Sequence, residues 1–557
     1  MAGMESTAAT AERNQQGHQD DHPSYNVLVE FAYQHLDFLM AELESVLLMN
    51  GIILGKHCQI KPLVNQDKYE RVLAQFHKES SAKQLVGEGR RPFVLLSFPS
   101  DSPWLVDTAS NDTDKGQEIA SLILSRCALV RSVSELWAMA PSIEECATKV
   151  KQWTEQDPVG RQTLRRLAKQ SWKVTVHTLG GRYSIVEQNE MRKKFQFLDL
   201  LGPVDLQNCD NEYILIREVE LDYQGGAIFP RFDQHKKLIF ANDQRPALAW
   251  YFGRVLVGRN LKGRGQIQAY SLKKRAYLGP TSMDTELSLI MTNLAHVKPD
   301  SVVIDPFVGT GSILLTSALR GAYCVGTDID IRVLRGKGGA NVFANFAQYG
   351  LPRPELIRSD NALYDRHFRH SQPIYDAIVT DPPYGIRAGA RRSGSRCDQP
   401  RAVPDERRHD HIAQTKPYVV SDVMADLLDM AAQTLVMGGR LVYIIPSMTD
   451  FSTDDLPRHP CLKLVHICYQ PLSIEFGRRM VAMEKIARYD PKERESYLAF
   501  TWKNGPESAE KCANLRAKII EAAKQKPGYE ERAAFRKQKR RENKEARKRS
   551  KQANKNT

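Results

Sequence analysis

The 557-residue chain lacks any Cys-x-x-Cys pair, and its nine cysteines are scattered. This spacing argues against a disulfide framework and an internal zinc site, and it is typical of a reducing compartment. The chain also lacks a long apolar run: stretches such as 440–446 fall short of the roughly 18 residues that a membrane helix needs. Because residues 1–22 are polar and include acids, we expect neither a secretory signal nor a transit peptide.

Excess charge is almost absent from the first 510 residues. The net charge is +13, and residues 511–557 carry 17 Lys or Arg against 5 Glu, a balance of +12. Such a tail is a solvated appendage, a phosphate-binding segment or a nuclear import signal, and its charge alone does not separate these alternatives. We expect a cytoplasmic protein, which would also enter the nucleus if the tail is an import signal.

The apolar pattern divides the chain into parts of different character. From about residue 300, apolar strands alternate with amphipathic helices, which predicts an α/β fold with a doubly wound parallel sheet. Ligands of such sheets lie at the carboxyl ends of the strands. The predicted parts are a disordered N-terminus (1–23), an α+β, ferredoxin-like module (24–120), a second α+β module (121–225), a connector (226–265), the α/β domain (266–505) and the basic tail (506–557).

The first predicted strand of the α/β domain ends in Asp305-Pro-Phe-Val-Gly-Thr-Gly311, which leads into a helix. Gly309 and Gly311 allow a tight turn and a close approach of the backbone to a ligand. The segment matches neither a P-loop nor a complete Gly-x-Gly-x-x-Gly. An acid at this strand end suits a cationic ligand, such as the methionine part of S-adenosylmethionine, better than a pyrophosphate.

Acidic residues also follow the next two strands. Asp328 comes where a carboxylate can accept hydrogen bonds from both hydroxyls of a ribose. Asp360 comes where an acid can either receive an adenine amino group or cap a helix. Both alternatives for Asp360 stay open on the sequence alone.

The fourth strand is followed by Asp381-Pro-Pro-Tyr384-Gly385. Two consecutive prolines end the strand ladder and hold the backbone rigidly. The Asp381 carboxylate, the Pro382 carbonyl and the Tyr384 ring should therefore surround one small volume. Two acceptors beside an aromatic face suit an exocyclic amine on a planar base, whose lone pair is otherwise delocalised into the ring.

These motifs resemble those of amino-methyltransferases that modify exocyclic nitrogens of bases. Residues 275–284 resemble the segment before the cofactor strand in tRNA guanosine N2-methyltransferases, and residues 205–210 resemble a turn of the RNA-binding THUMP domain, with Cys209 where that domain usually has proline. Tyr251-Phe-Gly-Arg254 narrows the resemblance to the eukaryotic family of catalytic subunits that make N2-methylguanosine at position ten of tRNA.

The resemblance implies a THUMP-like domain at 121–225 and a Rossmann-like methyltransferase domain at 266–505. It implies that Asp381 and the Pro382 carbonyl receive the guanine amino group and that Tyr384 stacks on the base. Because the methyl group on the positively charged sulfur is already strongly electrophilic, we expect that no metal is required. Two partners are implied: tRNA, and a small zinc-binding activator subunit on the methyltransferase sheet, for which only the apolar strands 463–483 are a weak indication. The residues implied to hold S-adenosylmethionine are Thr281, Ser282, Asp305, Gly309, Gly311, Asp328 and Asp360.

Two other functions stay open. An N6-adenine methyltransferase of RNA or DNA is one, because the Asp-Pro-Pro-Tyr motif recognises an amine and not a particular ring. An inactive RNA-binding scaffold is the other, although the intact Asp381, Gly309 and Gly311 disfavour it. The arginine-rich loop 388–417 has no motif that we can match. Its paired histidines, His409 and His411, could ligate a metal, but in so charged a loop we expect them to be solvated.

Overall fold

The structure of the protein is a computed structural model. It describes residues 24–32, 35–71, 91–99, 102–104, 115–179, 183–219, 231–232, 238–239, 247–257, 260, 262–368, 372–384, 389–394, 404–407, 414–448, 451–472, 476–503 and 505, and scattered positions from 521 to 542. These residues form two seven-stranded sheets, one in each half of the chain, and two small two-stranded sheets. Most of the basic tail, together with His409 and His411, lies outside the described residues.

The N-terminal half contains nine strands and five α-helices in its described part. The strands are β1 (Ser24–Phe31), β2 (Gln59–Lys61), β3 (Phe93–Pro99), β4 (Val130–Ala140), β5 (Trp172–Leu179), β6 (Asn211–Val219), β7 (Arg231–Phe232), β8 (Leu238–Ile239) and β9 (Ala247–Val257). The helices are α1 (Leu39–Met49), α2 (Lys115–Arg126), α3 (Ile143–Gln156), α4 (Pro158–Leu167) and α5 (Ile185–Lys193). Seven of the strands form one sheet in the order β2-β3-β1-β4-β9-β6-β5.

Strand β9 corrects the predicted division of this half. Residues 226–265 are predicted to be a connector, but β9 lies inside the sheet and pairs with both β4 and β6. Eight of its eleven residues are buried, as expected for an apolar run in a central strand. The predicted modules 24–120 and 121–225 are therefore not separate sheets, since β1 pairs with β4.

The C-terminal half contains nine strands and eight α-helices in its described part. The strands are β10 (Val302–Asp305), β11 (Tyr323–Asp328), β12 (Glu355–Arg358), β13 (Tyr375–Thr380), β14 (Arg391–Ser393), β15 (Thr415–Pro417), β16 (Leu435–Met448), β17 (Leu462–Pro471) and β18 (Phe476–Lys485). The helices are α6 (Gly265–Ala269), α7 (Thr285–Leu294), α8 (Ser312–Ala318), α9 (Ile331–Arg335), α10 (Val342–Gln348), α11 (Tyr364–His367), α12 (Val420–Thr434) and α13 (Arg494–Phe500).

The second large sheet has the order β12-β11-β10-β13-β16-β18-β17. The first five strands are parallel, as predicted, whereas β18 runs antiparallel to both β16 and β17. β18 runs antiparallel to β17 because only four residues, 472–475, connect the two strands, and a parallel crossover needs a much longer connection. The chain moves outward from β10 to β12 and then returns to β13, so the strand order reverses between β10 and β13. Ligands of doubly wound sheets bind at such a reversal.

Buried polar contacts join the two halves. The Glu42 carboxylate, on α1, is fully buried and accepts the backbone N–H groups of Ala128 and Leu129 at 2.8 and 2.9 Å. It also accepts the side-chain amide of Asn293, on α7, at 2.8 Å. Burial raises the pKa of Glu42, and these donors offset part of that cost. The N-terminal sheet is thereby held in a defined position relative to the second sheet.

Candidate active site

The buried carboxylate of Asp305 ends β10, beside the reversal of strand order. Its Oδ1 accepts the N–H of Phe307 at 3.0 Å and the hydroxyl of Thr380, the last residue of β13, at 2.6 Å. Burial is the main cause that raises the pKa of Asp305 to about 7, and the negative charges of Asp381 and Asp328 add to it. A carboxylate in these surroundings is stabilised by a cation.

The turn after β10 uses two glycines in different ways. Gly309 (φ +51°) and Gly311 (φ +77°) both have a backbone conformation that side chains disfavour. A Cβ on Gly311 would lie 2.6 Å from Cγ1 of Val342, whereas the nearest atom to a Cβ on Gly309 would be the Phe307 carbonyl oxygen at 3.9 Å. Gly311 therefore serves close packing against α10, and Gly309 borders open space.

Asp328, the last residue of β11, is tied to this turn. Its Oδ2 accepts the N–H of Gly309 at 3.0 Å, and its Oδ1 accepts the N–H of Asp330 at 2.8 Å. Burial raises the pKa of Asp328. Each oxygen of a carboxylate has two lone pairs, so both retain the capacity to accept a ribose hydroxyl. The ribose role stays a prediction.

Asp360 follows β12 and has both carboxylate oxygens engaged. Oδ1 accepts the N–H of Ala362 at 3.0 Å and caps the short 3₁₀ turn 361–363, which confirms the capping interpretation. Oδ2 accepts the N–H of Ser393, on β14, at 2.5 Å. A contact with an adenine amino group remains a prediction, and it would use the remaining lone pairs.

The segment before α7 brings Ser282 to the glycine turn. The Ser282 hydroxyl accepts the N–H of Gly279 at 2.9 Å and is hydrogen-bonded to the Thr310 hydroxyl at 2.7 Å. Thr281 beside it is exposed. The buried guanidinium of Arg275 fixes the segment by donating to Ser312 at 2.8 Å and to Thr285 at 3.0 Å. Both predicted residues thus lie at or next to the turn.

The rigid turn after β13 holds the three predicted catalytic residues. Pro382 is buried, whereas Asp381 and Tyr384 are partly exposed. The Tyr384 ring packs against buried apolar side chains of the hydrophobic core. Its hydroxyl is buried without a hydrogen-bond partner among the described residues. Because the preceding Thr380 bonds Asp305, the ends of β10 and β13 are joined directly. Gly385 lies outside the described residues.

Two residues near the site were missed by the sequence analysis as contributors. Thr380 joins the two strand ends, but a threonine at the end of a strand gives no sequence signal for that bond. Tyr277 donates its hydroxyl to the Val333 carbonyl at 2.8 Å, and its pKa is raised by burial and by the nearby charges of Asp328 and Asp330. Its position within the recognised segment 275–284 was the available signal.

Metal clusters and membrane-spanning helices are both absent from the described part of the chain. That part contains no group of three or more His, Cys, Asp or Glu that could hold a metal ion. None of its helices is long and apolar enough to cross a membrane.

Known proteins match both halves. A family described as "RMKL-like, methyltransferase domain" matches residues 273–397, and one described as "Tmrp11 THUMP N-terminal domain" matches 92–235. The tRNA (guanine(10)-N(2))-methyltransferase of Mus musculus is 32% identical over 486 residues, which are 85% of this chain and 90% of that protein. The protein of the same name from Dictyostelium discoideum is 33% identical and covers 84% of this chain and 83% of its own length.

This chain belongs to the tRNA (guanine(10)-N(2))-methyltransferase family. The predicted family, the THUMP-type N-terminal domain and the Rossmann-like methyltransferase domain are thereby confirmed, and S-adenosylmethionine is the methyl donor. Among solved structures, TrmN from Thermus thermophilus aligns with 83% of this chain and 100% of its own, at 14% identity and a TM-score of 0.35.

The residues present fit this cofactor. S-adenosylmethionine carries a positively charged sulfur and an ammonium group, and Asp305 is a buried carboxylate whose pKa is raised to about 7, mainly by burial and further by the charges of Asp381 and Asp328. Gly309, in the turn that follows Asp305, borders open space. Thr281, Ser282, Asp328 and Asp360 are the other predicted contacts.

The affinity for S-adenosylmethionine is expected to rise with pH between 5 and 7. Below its pKa of about 7 Asp305 holds a proton, and binding of a cation must expel it. The affinity should therefore fall by about tenfold for each pH unit below 7. Calorimetry at pH 6 and 8, in two buffers of different ionisation heat, would measure both the affinity and the released proton. Asp305→Asn should remove this pH dependence, and an equally steep dependence in that variant would contradict the assignment.

Proposed function

We propose that the protein transfers a methyl group from S-adenosylmethionine to the exocyclic N2 of guanosine 10 in tRNA, as the catalytic subunit of a complex. The observation that carries the proposal is the junction of the two strand ends. The Thr380–Asp305 hydrogen bond holds the turn of Asp381 beside the turn predicted to bind the cofactor. The relatives that match most of this chain are named for the same reaction.

The chain's own residues act on the amine. The lone pair of the guanine N2 is delocalised into the ring and is a poor nucleophile. When the Asp381 carboxylate and the Pro382 carbonyl accept its two N–H groups, the lone pair is localised and directed out of the plane of the base. Tyr384 stacks on the ring and fixes that plane. S-adenosylmethionine supplies a methyl group on a positively charged sulfur, and Asp381 can take the proton that the amine then loses.

The target guanine lies in a stem, so it must leave the stack to reach Asp381, at a cost of a few kcal/mol. The N-terminal sheet would bind another part of the tRNA, and this binding energy would offset the cost of moving the base. Because Glu42 and Asn293 attach this sheet to the methyltransferase domain, the distance between its RNA-binding surface and the catalytic turn would stay constant. A constant distance would select one nucleotide of the tRNA.

Analysis of the modified nucleoside tests the proposal. The protein, with its activator, is incubated with unmodified tRNA and isotope-labelled S-adenosylmethionine, and the digested product is analysed by mass spectrometry. N2-methylguanosine at position 10 is expected. N6-methyladenosine would favour the adenine methyltransferase instead, and bound cofactor without any product would favour the scaffold.

The implied zinc-binding activator is proposed to dock on β12. The two edges of the second sheet differ, because the β17 edge is covered by the N-terminal half: Asp37 accepts the N–H of Tyr469 at 2.5 Å, and Ser45 contacts His466 at 3.3 Å. The region 463–483, weakly indicated by the sequence, is therefore the poorer candidate. β12 pairs only with β11 among the described strands, and Ile357 on it is 50% exposed. An open edge of this kind accepts an added strand.

Ile357→Asp is expected to prevent co-purification of the activator, because a charge would enter an apolar contact at the sheet edge. The purified variant should lose tRNA methylation in parallel, while its affinity for S-adenosylmethionine and its melting temperature change little. Leu464→Asp on β17, where the leucine is 37% exposed, is the matched control and should still co-purify. Retention of the activator by Ile357→Asp and its loss from Leu464→Asp would move the interface to the opposite edge.

The basic tail is proposed to contact tRNA phosphates in a cytoplasmic protein. Its +12 balance supports attraction to phosphate, and its few aromatic residues offer little means of reading bases. Comparing the cellular distribution of the full chain and of a chain ending at residue 510 tests the other interpretation, a nuclear import signal.

A further inference from the structure

A two-stranded ribbon follows the catalytic turn and belongs to neither large sheet. Strands β14 and β15 pair antiparallel, with Arg391 opposite Pro417, Arg392 opposite Lys416, and Ser393 opposite Thr415. We call residues 391–394 and 414–418 the ribbon. Long loops inside a compact domain are usually functional. The loop that contains the ribbon, residues 388–417, begins shortly after the catalytic turn, residues 381–384.

The ribbon is fastened to the cofactor side of the site. Ser393 donates its N–H to Asp360, which follows the third strand, at 2.5 Å. Tyr418 donates its N–H to the Ala390 carbonyl at 3.0 Å, which continues the ladder of the two strands by one step. The Tyr418 hydroxyl donates to Asp426 on α12. The ribbon therefore has a defined position relative to the predicted adenine contact.

Apolar packing adds a second attachment. Ala390 and Tyr418 are buried together with Val423, and Phe307 from the turn after β10 packs against them. The ribbon is thus in contact with both the turn that follows β10 and the carboxylate that follows β12.

Two cations face each other on this ribbon. Arg392 and Lys416 are directly opposite in the ladder, so their side chains lie on the same face, where like charges destabilise a strand pair. Within the described part of the chain, Arg392 has one long ion pair, to Asp422 at 3.8 Å, and Lys416 has none. A Cβ on Gly394 would lie 3.1 Å from Cδ and Cε of Lys416, so the glycine leaves room for the lysine stem. An anion between the two cations would relieve their repulsion.

Arg391, on the other face of the ribbon, differs from Arg392 and Lys416 because its guanidinium is engaged in hydrogen bonds across the two strands. Its guanidinium donates to the hydroxyl of Thr415 and, at 2.5 Å, to the carbonyl of the same residue. The positive charge of Arg391 therefore holds the two strands together. The Arg392 guanidinium lies over the Tyr418 ring at 5.9 Å, and neither it nor Lys416 has an ion pair shorter than 3.8 Å in the described part of the chain.

We propose that Arg392 and Lys416 hold an RNA backbone phosphate next to the target nucleotide. The inference deepens the proposed function and rests on it, because it takes the substrate to be an RNA that enters beside Asp381. S-adenosylmethionine carries no phosphate, and its one anionic group, the methionine carboxylate, lies at the opposite end of the molecule from the adenine that is predicted at Asp360, so this anion site serves the substrate and not the cofactor. A guanidinium and an ammonium bind phosphate oxygens without reading the base. The contact would hold the backbone while the base turns into the site.

The test compares Arg392→Ala, Lys416→Ala and the double variant in steady-state methylation at several salt concentrations, with the activator present. Each single change is expected to raise the KM for tRNA by about tenfold and to leave kcat and the affinity for S-adenosylmethionine within about twofold. The slope of log affinity against log salt should become shallower by about 0.7–0.9 in the double variant, because one phosphate contact is lost. Arg392→Lys and Lys416→Arg keep the charge and should restore most of the affinity.

Lys463→Ala, an exposed lysine on β17, is the matched control and should leave KM and slope unchanged. An unchanged KM and slope in the double variant would overturn the proposal, as would a loss of kcat alone. Competition by inorganic phosphate that is as strong as competition by RNA would mean that the site binds the free ion. If the wild-type protein makes another nucleoside or none, the proposed function fails, and the salt dependence of tRNA binding still decides whether the ribbon contacts phosphate.

Discussion

Asp381→Ala is expected to lower kcat by about 10³-fold or more while the affinity for S-adenosylmethionine changes only a few-fold. The variant loses the charged acceptor of the guanine amino group, and removal of one such preorganised contact costs about 10²–10³-fold in rate. Loss of the group that takes the proton adds to this. Two effects on cofactor binding oppose each other. The variant loses one negative charge near the cofactor, but the same charge raises the pKa of Asp305, which would then ionise more readily.

Single-turnover methylation measures the role of Asp381 toward the guanine amine, and calorimetry on the same preparation measures its effect on S-adenosylmethionine binding. Asp381→Asn keeps one oxygen acceptor without the charge and should lie between the wild type and Asp381→Ala. Asp454→Ala is the control, because this exposed carboxylate pairs with Arg458 and Lys503 at the surface. Lost cofactor affinity with merely slowed turnover in Asp381→Ala would reassign Asp381 to the cofactor.

The strand ends were predictable from the sequence because each depends on local residues. An apolar run and then an acid mark each strand end, and after Asp305 and Asp381 a turn-forming glycine or proline follows as well. The parallel order then brings the ends to one edge of the sheet. Asp305, Asp328, Asp360 and Asp381 accordingly all lie at or just after the ends of β10, β11, β12 and β13. The parallel core of the domain could be inferred for the same reason.

Pairings between distant segments could not be inferred in this way. The apolar run of β9 is equally compatible with a linker strand or a central strand, and only its partners β4 and β6 decide between them. The direction of β18 depends on how few residues separate it from β17, and the apolar pattern does not mark the ends of either strand. The Thr380–Asp305 bond joins two strand ends that lie 75 positions apart in the chain. The polar ribbon strands have no apolar alternation that could have revealed them.

The two glycines of the turn after β10 should respond differently to the same substitution. Gly309→Val is expected to weaken S-adenosylmethionine binding by about 100-fold or more, because the new side chain would enter the open space where the cofactor is predicted to lie. Its effect on folding should be limited to the backbone strain of a β-branched residue at φ +51°, about 1–2 kcal/mol. Gly311→Val should cost more stability, since its Cβ would overlap Val342 at 2.6 Å.

Gly350→Val is the control that separates the effect of backbone strain from the effect of a side chain that blocks the cofactor site. Gly350 has φ +64°, and no atom lies within 4 Å of the place that a Cβ would take, so valine there carries the same backbone strain away from the turn. Thermal melting should therefore give similar losses for Gly309→Val and Gly350→Val, and calorimetry should find cofactor binding lost only in the former. If both variants bind S-adenosylmethionine equally well, the cofactor does not lie over Gly309, and the glycine serves only the shape of the turn. If both lose binding, strain spreads through the domain, and the assignment of Gly309 to the cofactor loses its support.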